Sequence, residues 1–102
     1  MKEDLLKIIN NYGVLSQLKY FQSEVFELGE AIICEEISKR DNEVNNYKSI
    51  KDIAEEIADV LVMLKQFQHY YRIEDEQIEE VMRYKINRQL ERLDNEKDNK
   101  NN

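Results

Sequence analysis

Two pairs of carboxylates stand at helical spacing in this chain, Glu24-Val25-Phe26-Glu27 and Glu56-Ile57-Ala58-Asp59. Side chains three residues apart on a helix share a face and come close enough to hold one cation. Each acid comes one position before an apolar residue: Glu24 before Val25, Glu27 before Leu28, Glu56 before Ile57 and Asp59 before Val60. One residue is about 100° of helical rotation, so both pairs are turned to the same side of their apolar seams. On two helices packed antiparallel, equal offsets fall on the same flank of the interface, and the four carboxylates converge at the edge of the core. Acids that close repel, and their pKa values rise unless a cation neutralises them. Hard oxygen ligands without histidine or thiolate suit Mg²⁺, with Mn²⁺ as a substitute, and suit zinc poorly.

The elements that must position these acids are helices. The chain has no proline, only two glycines and 36% charged residues. Leu, Glu, Lys and Gln, all plentiful, lose little rotamer freedom in a helix. A short first helix is expected over 2–11, broken by Asn10-Asn11-Tyr12-Gly13, whose Asn and Gly residues tolerate left-handed backbone. The longest helix is expected over 14–39, with a seam of Leu18, Phe21, Val25, Leu28 and Ile32. Residues 40–47 form the main connector, and Ser49 followed by Asp52 reads as the next helix start. That third helix runs over 50–70 with a seam of Ile53, Ile57, Val60, Leu64 and Phe67. After a turn at 72–75, a fourth helix over 76–93 turns Ile78, Val81, Met82, Ile86, Leu90 and Leu93 inward. The expected fold is all-α: one four-helix, bundle-like domain over 1–93, in which two long antiparallel helices carry the acids. Residues 94–102 have no apolar side chain and read as a disordered polar tail.

The length of 102 residues suits one domain. A net charge of −7 with no dense basic block argues against duplex nucleic acid as partner. A phosphorylated small molecule can still bind an acidic surface if metal ions lie between them. No stretch approaches the ~20 apolar residues of a bilayer span, and the charged start Met1-Lys2-Glu3-Asp4 does not read as a signal peptide. The single cysteine, Cys34, excludes an internal disulfide and fits the cytoplasm.

The stretches Glu24-Val-Phe-Glu27-Leu-Gly-Glu30-Ala-Ile and Glu55-Glu56-Ile-Ala-Asp59-Val-Leu resemble the ExxE…ExxD signature of MazG-like nucleotide pyrophosphohydrolases, members of the all-α NTP pyrophosphatase superfamily. The resemblance spans about Tyr12 to Leu93. It implies that Glu24, Glu27, Glu56 and Asp59 coordinate Mg²⁺, which holds the phosphates of a nucleoside triphosphate. Water activated there attacks the α-phosphorus and pyrophosphate leaves, with Glu24 or Glu27 orienting or deprotonating the water. Tyr84-Lys85-Ile-Asn-Arg88 resembles the KxxR segment of that family, which gives Lys85 and Arg88 to the substrate phosphates. The resemblance also implies a homo-oligomer, dimer or tetramer, whose site is completed across a subunit interface. Two positions depart from the pattern: Ser23 stands where many relatives have a further acid, and Arg83 where some have asparagine.

Other chemistry-bearing residues read more plainly. His69 reads as a polar helix-end residue, with stacking on a base as the alternative, and Gln66 where Glu-x-x-His would need glutamate, with no second histidine, counts against a di-iron bundle. Gln17, Tyr20 and Phe21 lie one to two turns before Glu24, where a nucleobase could sit, although Phe21 also falls on the seam. Cys34 reads as a small buried hydrophobe. The alternative reading of the whole chain is a non-catalytic acidic helical interaction module.

Overall fold

A computed structural model describes residues 1–40 and 47–101, with side chains described for 1–40 and 49–100. Its elements are α1 (Lys2–Tyr12), α2 (Val14–Arg40), α3 (Tyr47–Tyr70) and α4 (Asp75–Asn101), and no strand occurs among the described residues. The fold is all-α. No helix is long and apolar enough to cross a membrane among the described residues. Contacts divide the chain into two compact units, Met1–Tyr71 and Arg72–Asn102.

In the first unit a single residue joins α1 to α2. Gly13 has φ 92°, its N–H donates to the Ile9 carbonyl at 2.8 Å, and its own carbonyl accepts from the Gln17 N–H at 3.1 Å. Positive φ is open to glycine because it has no Cβ, so α1 can turn back at once. It packs on α2 and α3, burying Leu5 and Ile9.

The contact between α2 and α3 is antiparallel, since Gln17 meets Gln66 while Glu24 and Glu27 meet Glu56. On α2 the buried and half-buried positions include 14, 17, 21, 24, 28, 31, 35 and 38, and on α3 49, 53, 56, 60, 63 and 67, with 29 on α2 and 66, 68 and 69 on α3 covered as well. Steps alternating between three and four are the 3.5-residue repeat of a coiled-coil seam. Phe21 and Phe67 meet edge to face across it, with ring centroids 5.7 Å apart.

This seam corrects the one expected from apolar spacing. Phe21, Leu28, Ile53, Val60 and Phe67 do turn toward it. Leu18, Val25 and Ile32, by contrast, stay 39%, 42% and 43% exposed, and Ile57 and Leu64 are exposed on α3. The apolar stripe of α2 is about one residue wider than the contact requires, and α3 packs on its polar edge. Five polar residues are buried among those described, Gln17, Glu24, Glu35, Gln66 and Gln68, against three apolar ones, Leu5, Ile9 and Met63. Cys34 is also exposed rather than buried.

Helix α3 begins at Tyr47, two residues before Ser49, so Ser49 is a residue of its first turn and does not cap it. Most of the expected connector lies outside the described residues. In the second unit, Arg72 takes the left-handed conformation at φ 57°. The Gln77 side chain then accepts from the Glu74 N–H at 2.8 Å, half of a capping box that starts α4. None of the residues expected to turn inward on α4 is buried: Ile78 is half-buried, and Val81, Met82, Ile86, Leu90 and Leu93 are exposed. The helix continues through the polar segment 94–101, expected as a tail. With every side chain of 94–100 exposed, the helix there is held by local propensity alone.

Candidate metal centre

Helix α2 turns Glu24 and Glu27 toward α3, and α3 turns Glu56 toward them. One carboxylate oxygen from each of the three lies within 4.8 Å of the others. Glu24 is only 5% exposed, Glu56 is half-buried and Glu27 is exposed. The cluster is thus open on one flank and closed on the other. Because Glu24 and Glu56 occupy the 3.5-residue seam itself, the acids meet inside the helix contact, not beside it as the expected offset implied.

On the closed side the arrangement is electrostatically incomplete. One oxygen each of Glu24 and Glu56 is shut off from solvent and has no hydrogen-bond partner among the described residues. A buried carboxylate oxygen with no donor is costly. Glu56 is accordingly pushed above the ordinary carboxylate range: loss of water contact acts first, then the charges of Glu27, Glu24 and Asp59, and last hydrogen bonding with Glu24. The Tyr20 hydroxyl donates a hydrogen bond to Glu24, and that bond, with the Glu24 charge next, raises the Tyr20 phenol.

Asp59 stands outside the group of three. Its charge still bears on Glu56 and Tyr20, so it borders the cluster. Lys85 and Arg88 lie on α4, in the other unit, and both are exposed. The structure therefore brings together Glu24, Glu27 and Glu56 of the six residues singled out by sequence.

Next to the cluster is a cavity of about 530 Å³ lined by residues of α1, α2 and α3, including Tyr20 and Asp59. Gln66 and Met63, in its lining, carried no functional reading from the sequence. The signal available was an amide at 66 beside the seam of a helix whose neighbours are apolar.

Comparison of the chain with family models, curated proteins and solved structures found no match.

The donor set fits a hard divalent cation: three carboxylates from two helices, two of them with a buried oxygen that has no donor among the described residues. The sign of the pH dependence follows from the raised Glu56 value. A carboxyl that binds its proton more tightly when folded stabilises the fold below its unfolded pKa, and that contribution is lost as pH rises through the folded value. The metal-free protein should therefore melt at higher temperature as pH falls through the raised Glu56 value toward the ordinary carboxylate range, and Glu56→Gln should flatten that slope. At pH 7, millimolar Mg²⁺ or Mn²⁺ should raise the Tm of the wild type through mass action. Melting curves insensitive to both pH and metal would show that the three acids do not interact.

Proposed function

We propose that this chain is a Mg²⁺-dependent nucleoside triphosphate pyrophosphohydrolase of the MazG-like kind, converting an NTP or dNTP and water to the monophosphate and pyrophosphate. The observation that supports this reading most is the meeting of Glu24, Glu27 and Glu56 within 4.8 Å, with two of their oxygens buried and unpaired. A purely structural helix contact is destabilised by such a cluster, whereas a cation site requires it.

In this reading Glu24, Glu56 and Glu27 would hold the cation, with Glu27 on the open flank of the cluster. Mg²⁺ held there would neutralise charge on the phosphates and lower the pKa of water. Asp59 adds negative charge at the border of the site. The Tyr20 hydroxyl, through hydrogen bonding to Glu24, would help orient that carboxylate toward the cation. Glu27, the exposed acid, is placed to accept a proton from water attacking the α-phosphorus. Only the KxxR resemblance assigns Lys85 and Arg88, exposed on α4 in the other unit, to phosphates.

The protein works as a homo-oligomer, a dimer or tetramer. Leu18, Val25 and Ile32 on α2, with Ile57, Leu61 and Leu64 on α3, leave apolar surface in water that an association interface would cover. Exposed apolar surface also favours the interaction-module reading, but that reading gives no reason for the buried acids. The cytoplasm is the compartment that fits a magnesium-dependent nucleotide enzyme.

Pyrophosphate release from a panel of NTPs and dNTPs tests the activity. Glu56→Gln should lower it at least about hundredfold, and Asp59→Asn by about ten- to hundredfold, with helical circular dichroism retained. Activity that survives Glu56→Gln would place the chemistry elsewhere. For the assembly, light scattering should give a mass of two or four chains, and Val25→Lys should reduce it toward one. A monomer at micromolar concentration would remove the oligomer.

A further inference from the structure

Helix α2 carries a second apolar face, outside its contact with α3. Phe26 and Ile33 are 66% and 59% exposed, and Val25 and Ile32 are exposed beside them. Gly29, half-buried between them, lies at the middle of that face. Val25 and Ile33 stand four residues to either side of it, and Phe26 and Ile32 three. Residues three and four apart are neighbours on a helix surface, so the glycine is a gap ringed by large apolar side chains.

The gap has no use inside the chain. Gly29 sits in the interior of a 27-residue helix. Its backbone is ordinary helix, since positive φ is confined to Gly13 and Arg72 among the described residues. A Cβ built at Gly29 would meet no atom of the described chain within 4 Å. Glycine destabilises a helix interior relative to alanine, because it loses more backbone freedom on folding. Neither backbone conformation nor internal packing accounts for that cost. What a missing Cβ permits is the close approach of another backbone.

Helix α3 extends the same face. Ile57 and Leu61 are each two residues from Asp59, as Val25 and Gly29 are from Glu27. Two residues are about 200° of helical rotation, so apolar residues and acids turn to opposite sides of each helix. With Leu18 and Leu64, the face leaves on the order of 700 Å² in water, close to the roughly 800 Å² that each partner of a standard interface gives up.

We infer that this face docks a second copy of the chain, with the two α2 helices crossing on a two-fold axis at Gly29. Large apolar residues recur at equal distances before and after Gly29, so a two-fold axis there sets apolar against apolar, as a contact between identical surfaces requires. The inference rests on the homo-oligomer reading above and is independent of the hydrolase reading. It has a consequence for the acids. A partner on the flank opposite Glu27 and Asp59 leaves each chain with its own whole cluster, and this contact does not complete the site.

The test compares Gly29→Ala and Gly29→Leu with the wild type by light scattering at micromolar concentration, with circular dichroism to confirm folding. The added side chains should weaken association about tenfold for alanine and at least about hundredfold for leucine. A glycine that matters only to its own helix gives the opposite result: alanine raises the Tm and leaves the mass unchanged. A second readout keeps the contact in place. In a Cys34→Ser background, Gly29→Cys oxidised with copper phenanthroline should link two chains, because a close helix crossing brings Cα atoms into the range of about 4.4–6.8 Å that a disulfide needs. Native Cys34, about 140° round the helix from Gly29, should not cross-link.

An oligomeric wild type that keeps its mass in Gly29→Leu, or that gives no Gly29→Cys cross-link, would overturn the inference and leave the oligomer to another face. A monomeric wild type would remove both.

Discussion

Three negative charges are held together where two helices meet, and the rest of the first unit is arranged around that repulsion. Glu24 and Glu56 occupy positions of a 3.5-residue seam that a structural helix pair would fill with leucine or alanine. Their cost is concentrated at two oxygens that receive no hydrogen bond among the described residues, and it appears as the raised pKa of Glu56. A cation held there would convert the same arrangement from repulsive to attractive, because each carboxylate would then face positive charge in a partly dry site.

The seam near these acids is unusually polar. Gln17, Gln66 and Gln68 are buried along with Glu24 and Glu35, while isoleucines, leucines and valines lie exposed on the outer faces of α2 and α3. A polar seam of this kind is tolerated only where its members are paired, as Gln17 and Gln66 are. Hydrophobic burial inside the unit is carried by a short list led by Ile9, Leu5 and Met63. The short helix α1 supplies two of these three, so its tight return at Gly13 matters more to the fold than its length implies. The same return places Ile8 and Tyr12 over the cavity, which joins the packing of α1 to the shape of the site.

Helix type and location were legible from spacing alone: four helices, the break at Gly13 and the acids on the second and third helices all follow from residue order. What the spacing could not resolve was which edge of a broad apolar stripe is packed. Leu18-Phe21-Val25-Leu28-Ile32 and Gln17-Phe21-Glu24-Leu28-Ala31 share Phe21 and Leu28, and hydrophobicity favours the first set. The structure uses the second, because the acids and amides face one another across the contact. The three acids could be paired from their spacing, but their position on the seam could not, and Asp59 falls outside the closest group for the same rotational reason. Gln66 gave little warning, since an amide beside an apolar seam is equally consistent with a helix surface.

The most direct test is to locate a metal ion. A crystal structure grown with Mn²⁺, with anomalous differences collected, should place a peak among the carboxylates of Glu24, Glu27 and Glu56, with oxygen ligands on the buried side from Glu24 and Glu56. An ordered crystal soaked at millimolar Mn²⁺ with no peak there, or with its peak on other residues, would contradict the claim that a divalent cation is what these three acids are assembled to hold.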